Sequence, residues 1–169
     1  GHQKERRKRR EIHNKLMELQ GNIRVVCRAR PLVEAEMRSS HDAVDVTSYP
    51  PGSDDELIVR KDDITKTRCE FDAVFRPGSS QEAVFETVSP LITSLLDGYN
   101  VCIFAYGQTG SGKTFTMEGP PDNRGVNFRA LDSMFALALE RAEEARYTIS
   151  LSMLEIYNET IRDLLVETP

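Results

Sequence analysis

The fold of this chain is decided by one stretch, Gly107-Gln108-Thr109-Gly110-Ser111-Gly112-Lys113-Thr114. It fits the pattern G-x-x-x-x-G-K-[ST], in which glycines let successive backbone N–H groups converge on phosphate oxygens. In this pattern the lysine, here Lys113, reaches the outer phosphates, and the hydroxyl of Thr114 ligates Mg²⁺. The stretch therefore predicts a site for a nucleoside triphosphate. The alternative is an ordinary glycine-rich turn between a strand and a helix.

The segments around this loop predict an α/β fold. Residues 101–106 are continuously apolar, as in a buried strand that feeds the loop. Further strands are predicted at 23–30, 57–60, 69–75 and 147–157, and residues 34–55 are polar and rich in turns. Ser79 or Ser80 should cap a helix that ends near Asp97-Gly98, and a second helix should run from about 128 to 145. Strands that alternate with helices favour a mostly parallel central sheet with helices on both faces.

The N-terminal segment differs from the rest of the chain in charge. Residues 1–20 hold seven Lys/Arg and three Glu, a net charge of +4, while the whole chain carries −5. Such a basic arm suits an acidic partner or is simply solvated. Within it an apolar stripe recurs at helical spacing, formed by Ile12, Leu16, Leu19 and Ile23. The stripe predicts either a coiled-coil seam, which would need more sequence upstream, or one helix packed on its own domain.

Composition limits the remaining possibilities. With 169 residues the chain has room for one domain of ordinary size. No apolar run is long enough to cross a bilayer and none opens the chain as a signal peptide, so no membrane role is expected. The three cysteines, Cys27, Cys69 and Cys102, lack metal-ligand spacing and are interpreted as reduced thiols of a cytosolic protein.

Three stretches, in the same order along the chain, resemble segments of one family. Residues 100–119 closely resemble the phosphate-loop signature of kinesin motor domains. Residues 23–31, ending in Arg28-Ala29-Arg30-Pro31, look like the family's first strand with its R-x-R-P motif, and residues 154–165 look like its E-I-Y-N-E segment. The resemblance covers about residues 20–166. A helix that enters directly at 19–24 is similar to the neck of C-terminal-motor, minus-end-directed kinesins. The chain thus divides into a basic arm and neck helix, 1–22, and part of a motor domain, 23–169.

This resemblance implies a ligand, a set of binding residues and a partner. The ligand would be ATP or ADP with Mg²⁺, and Lys113 would be the catalytic residue. The nucleotide would be held by the R-x-R-P motif and the loop, that is by Arg28, Arg30, Pro31, Gly107, Gln108, Thr109, Gly110, Ser111, Gly112, Lys113, Thr114 and Phe115. Arg28, Pro31 and Phe115 would hold the adenine, and Thr114 the metal ion. Tyr157 and Asn158 are expected to be mainly structural.

The same resemblance implies that the partner is the microtubule, which the complete motor would bind in the cytoplasm, on the cytoskeleton or spindle. A homodimer through an upstream coiled coil is a further expectation, and no specific nucleic acid is expected. Two family segments that position water and Mg²⁺, N-x-x-S-S-R-S-H and D-L-A-G-S-E, do not occur in this sequence. We therefore expect about the first half of a motor domain, with a sheet incomplete at its C-terminal end.

Three hypotheses about function remain. The chain belongs to an ATP-driven microtubule motor and is inactive by itself, or it is a non-hydrolysing nucleotide binder or interaction module. The third hypothesis is another phosphate-loop enzyme such as a small kinase, but nothing after Gly119 supplies an acceptor site or lid arginines.

Overall fold

The computed structural model describes residues 2–39, 44–62 and 64–166. In this part of the chain the helices are α1 (His2–Leu19), α2 (Glu34–Ser39), α3 (Gln81–Leu96), α4 (Lys113–Met117) and α5 (Val126–Glu140). The strands are β1 (Val26–Arg28), β2 (Thr47–Ser48), β3 (Glu56–Arg60), β4 (Lys66–Glu70), β5 (Ala73–Phe75), β6 (Leu154–Tyr157) and β7 (Thr160–Asp163). Two compact units divide the chain, Gly1–Phe135 and Ala136–Pro169.

The first unit contains two small sheets. β1 and β5 pair in parallel, with Val26 opposite Ala73 and Arg28 opposite Phe75. β2, β3 and β4 form an antiparallel meander in that order. Buried apolar side chains come from both sheets, from α3 and from the start of α5, and they are Leu57, Val74, Val84, Val88, Ile92 and Val126. In α3 these residues recur every four positions, so one face of that helix forms part of the core.

Helix α3 has the limits that the sequence predicts. The Ser80 side chain caps its first turn by accepting a hydrogen bond from the N–H of Ala83, at 3.1 Å. After the helix, Gly98 has φ of +102°, a conformation that glycine adopts without the steric cost of a side chain. Pro90 lies inside the helix without ending it.

Helix α1 packs on its own unit, but through polar side chains. Arg10 pairs with Asp97, which caps the C-terminal end of α3, at 3.3 Å, and the His13 Nε2 lies 3.2 Å from both the Pro90 carbonyl and the Ser94 hydroxyl. The apolar stripe points elsewhere, since Ile12 and Leu16 are 58% and 52% exposed. The structure therefore shows packing on the same domain and also leaves the stripe available to a second helix.

Several predicted strands are wrong or shorter than expected. Residues 101–106 are not a strand, although their burial alternates, with Val101, Ile103 and Ala105 half-buried and the residues between them exposed. A strand exists only when a neighbour completes its hydrogen bonds. Here Ile103, together with Val26 of β1 and Ala73 of β5, lines a cavity of about 510 Å³ instead of joining their sheet.

The other differences are smaller. The first strand is limited to 26–28, the prediction for 69–75 divides into β4 and β5, and the strand predicted over 147–157 begins only at Leu154. The second long helix runs over 126–140 rather than 128–145. Residues 34–55, predicted as turns, contain α2 and β2, and 40–43 of that stretch lie outside the described residues. Within the described ranges the only parallel pair is β1 with β5.

The second unit contains an antiparallel hairpin of β6 and β7. Its two-residue turn, Asn158-Glu159, has φ of 46° and 62°, as the tight turns of twisted hairpins require. Tyr157 pairs with Thr160 at the end of this ladder.

Two predictions from composition can also be compared with the structure. No helix in the described ranges is long and apolar enough to cross a bilayer. All three cysteines are free thiols, and burial, followed by the nearby Cys69, raises the pKa of the Cys27 thiol.

Candidate functional site

The loop before α4 has the backbone that its glycines predict. Gly107, Gly110 and Gly112 have φ of 155°, 79° and 94°, backbone angles that residues with a Cβ rarely adopt. A Cβ on Gly107 would also lie 2.5 Å from the Ser111 hydroxyl, so an added side chain would require Ser111 to shift. Left-handed residues that alternate with ordinary ones turn successive N–H groups toward one side, which forms an anion-binding nest.

Lys113 supplies the positive charge of this loop. Its Nζ donates to the carbonyl oxygens of Gly107 and Gln108, both at 2.8 Å, so the ammonium group lies against the loop itself. A third bond, from the N–H of Ser111 to the Gln108 carbonyl at 3.1 Å, closes the turn. One ammonium group and a set of turned N–H groups are the donors that a polyphosphate requires.

Thr114 follows directly and is exposed at the start of α4. Among the described residues there is no group of three or more His, Cys, Asp or Glu side chains that could hold a metal ion. A single hydroxyl suits Mg²⁺, because this ion usually keeps several waters and takes its other ligands from substrate phosphates. The residues therefore fit Mg²⁺ only as part of a complex with a nucleotide.

Arg28 of β1 and Phe115 of α4 lie together. The guanidinium carbon of Arg28 is 5.2 Å from the centre of the Phe115 ring, a cation–π distance. The same guanidinium donates to Thr116 Oγ1 at 3.0 Å, to Gln81 Oε1 at 2.8 Å and to the Ser79 carbonyl at 3.1 Å. Burial lowers the pKa of Arg28, and these acceptors compensate for the lost hydration. Arg28 thus packs behind the Phe115 ring, which is itself half exposed.

Arg30 lies beside the loop, near Gly112. Its Cδ is 4.0 Å from the position that a Cβ on Gly112 would take. Its guanidinium forms a two-pronged pair with Glu36, and its Nη1 also donates to the Pro31 carbonyl at 3.1 Å. These bonds, with one from the Val33 N–H, lower the pKa of Glu36 to about 2.

The structure therefore gathers most of the predicted residues in two places. Gly107–Thr114 form the loop, with Arg30 beside Gly112, while Arg28 and Phe115 form a pair next to it. Pro31 is exposed and meets Arg30 through its carbonyl. Gln81 and Thr116 also belong to this arrangement, and the sequence did not single them out. Only the fold brings Gln81 to Arg28, since 53 residues separate the two along the chain.

Comparison with known proteins identifies the family. The family model described as "Microtubule binding" matches residues 2–165. Kinesin-like protein KIN-14S of Arabidopsis thaliana is 50% identical over 159 residues, which are 94% of this chain and 20% of that protein. This chain belongs to the kinesin family. Carboxy-terminal kinesin 2 of Xenopus laevis is 48% identical and covers 95% of the chain, which spans 27% of that kinesin.

A solved kinesin structure supports the same fold. The C-terminal motor and motor homology domain of Kar3Vik1, fused to a synthetic heterodimeric coiled coil, aligns with a TM-score of 0.78 at 36% identity. The alignment covers 96% of this chain and 43% of the solved chain. The predicted fold class, a phosphate-loop NTPase fold with an incomplete sheet, is thereby confirmed. The chain spans about a fifth of the length of the curated kinesins it matches, such as KIN-14S.

Proposed function

We propose that this chain is the ATP-binding portion of a microtubule-based kinesin motor. The observation that carries the proposal is the loop before α4, which has glycines of positive φ at 107, 110 and 112 and holds the Lys113 ammonium group against the carbonyls of Gly107 and Gln108. Lys113 and the loop N–H groups hold the phosphates, Thr114 ligates Mg²⁺, and the exposed Phe115 ring receives the base. In the complete protein, ATP hydrolysis is coupled to movement along microtubules.

Membership of the kinesin family also supports a proposal about the partner of the complete protein and its location in the cell. The complete motor binds microtubules, in the cytoplasm and on the cytoskeleton, including the spindle. A homodimer is supported by the exposed stripe of α1, because apolar residues at Ile12 and Leu16 suit a helical partner. We keep the boundary between neck and motor near residue 22, where Gly21, with φ of 95°, follows the end of α1.

A second candidate is a nucleotide-binding module that does not hydrolyse ATP. It is favoured by one observation, that neither N-x-x-S-S-R-S-H nor D-L-A-G-S-E occurs in these 169 residues. Binding of ATP without turnover would agree with it. Phosphate release that microtubules stimulate would exclude it.

The Lys113→Ala variant tests the site. Losing one charged donor to phosphate costs about 1.5–3 kcal/mol, so the affinity for a fluorescent ADP analogue should fall by roughly 10–150-fold. The fold should not change, because the Lys113 ammonium group donates to the Gly107 and Gln108 carbonyls of its own loop rather than to another element. Nucleotide titration measures the affinity, and circular dichroism checks the fold.

The matched control is Lys66→Ala, which removes an exposed lysine of β4. Its affinity should equal that of the parent chain. If Lys113→Ala also binds nucleotide as tightly as the parent, the site assignment is wrong.

A further inference from the structure

Gln81, the first residue of α3, is a buried polar residue that bonds both to Arg28 of β1 and to the backbone of α4. Only 1% of its surface is exposed. A buried amide must be hydrogen-bonded, because leaving it unpaired costs the free energy of its lost hydration. Its location beside Arg28 and α4 therefore depends on specific hydrogen bonds.

The bonds of Gln81 define the orientation of its amide. Oε1 accepts from Arg28 Nη1 at 2.8 Å, while Nε2 donates to the Phe115 carbonyl at 2.7 Å and to the Asn123 carbonyl at 3.4 Å. A guanidinium can only donate and a carbonyl can only accept, so the reverse orientation of the amide would lose all three bonds. One side chain thus ties β1, α4 and the loop that precedes α5.

The surroundings leave little room for this amide to move. A Cβ on Gly119 would lie 2.8 Å from Gln81 Nε2 and would also collide with the Asn123 carbonyl. Gly125 also has no room for a side chain, since an added Cβ would lie 2.5 Å from the Thr116 carbonyl. Glycines at these two positions let the loop approach α4 closely enough for Gln81 to bridge them.

We propose that Gln81 is a positioning residue for the nucleotide base. It holds Arg28 behind the Phe115 ring and fixes the backbone from which that ring projects. This inference rests on the proposed nucleotide site. Gln81 bonds neither to Lys113 nor to the loop carbonyls that Lys113 contacts. Its direct bonds end at Arg28, Phe115 and Asn123, so we expect its effect to be larger on the base than on the phosphates.

The test separates base from phosphate by using two ligands. Gln81→Met keeps the length of the side chain and removes its three hydrogen bonds. Calorimetry would measure the affinity of the 169-residue chain for Mg-ADP and for inorganic tripolyphosphate with Mg²⁺. We expect Gln81→Met to weaken ADP binding by about tenfold and tripolyphosphate binding by less than about twofold. Gln20→Met, an exposed glutamine after α1, is the control and should change neither affinity.

Two further variants keep the test decisive. Gln81→Glu keeps the acceptor for Arg28 and loses the donor to Phe115. If Gln81→Met does not fold, the affinities of Gln81→Glu for ADP and for tripolyphosphate are compared instead. In a chain that already has Arg28→Met, Gln81→Met should add less than about twofold to the loss of ADP affinity, because both act on one ring.

Each outcome has a distinct meaning. Equal losses for ADP and tripolyphosphate, or no loss for either, would overturn the positioning role while leaving the nucleotide site in place. A parent chain that binds neither ligand would show that the proposed nucleotide site is wrong, and the role of Gln81 with it.

Discussion

Arg30, which lies beside Gly112 of the phosphate loop, forms a charged pair with Glu36. Glu36 accepts from Arg30 Nη1 at 2.8 Å, from Arg30 Nη2, and from the Val33 N–H at 3.0 Å. Because these bonds favour the carboxylate, the pKa of Glu36 lies at about 2, below its ordinary value of 4.5. Its contribution to stability is complete above the unfolded pKa and is lost as the pH falls through about 2.

A carboxyl NMR titration checks this pair. Glu36 should titrate near 2 in the parent chain. Arg30→Met should raise that pKa toward the ordinary value, though not fully, because the Val33 N–H still donates. A parent Glu36 that titrated near 4.5 would contradict the pairing.

Gly125 is the second residue with a testable consequence. A Cβ there would lie 2.5–2.7 Å from backbone atoms of Thr116 and Met117, which cannot move aside without shifting α4. We expect Gly125→Ala to lower the free energy of unfolding by about 3 kcal/mol. Gly78→Ala is the control, since Gly78 has open space and a left-handed φ of 90°, and should cost about 1 kcal/mol. Urea unfolding measures the free energy of unfolding of both variants. Equal decreases would show that the loop at Gly125 does not pack tightly against α4.

Among single residues, the sequence predicts the glycines of the phosphate loop but does not predict that Gln81 supports Arg28 and Phe115. The phosphate-loop glycines follow a spacing that can be read directly, because each is required by local backbone geometry. Gln81 has no such signal, since a glutamine at the start of an apolar helix looks like any solvent-facing residue. Its burial depends on Arg28, Phe115 and Asn123, which lie 34–53 residues away in the chain.

Helix α1 presents different faces to its domain and to solvent, and this leads to a prediction about the helix as a whole. Replacing Ile12 and Leu16 by serine should leave the thermal stability of the monomer nearly unchanged, because both are more than half exposed. The same change should abolish any dimer that α1 forms, because the apolar stripe would no longer bury against a partner. Thermal melting and sedimentation measure the two effects.

Ile92→Ala in α3 is the contrasting variant. Ile92 is 4% exposed, so its truncation should cost about 2–5 kcal/mol. If the serine variant of α1 destabilised the monomer to a similar degree, the stripe would be part of the core and the predicted dimer seam would be wrong.

Among the elements, α3 was predicted well and the segment 101–106 was not. The ends of α3 depend on Ser80 and on Asp97-Gly98, whose effects are local and visible in sequence. A strand depends on a partner that need not be near in sequence. Residues 101–106 keep the alternating burial of a strand, but the neighbouring β1 pairs with β5 instead.

The chain as a whole should bind nucleotide without turning it over. Phosphoryl transfer requires a positioned water and a completed Mg²⁺ shell, and the two family segments that supply them do not occur here. We expect phosphate release from ATP to stay at background, with and without microtubules. Turnover above background that Lys113→Ala abolishes would refute this expectation.

The sequence by itself determined the phosphate loop, the limits of α3 and the family. These depend on neighbours in the chain, such as a glycine that allows a left-handed φ or a serine that caps a first turn. Only the tertiary structure decided which face of α1 docks on α3 and which side chains support Phe115. Such contacts join residues 34–88 positions apart, and no local propensity specifies them.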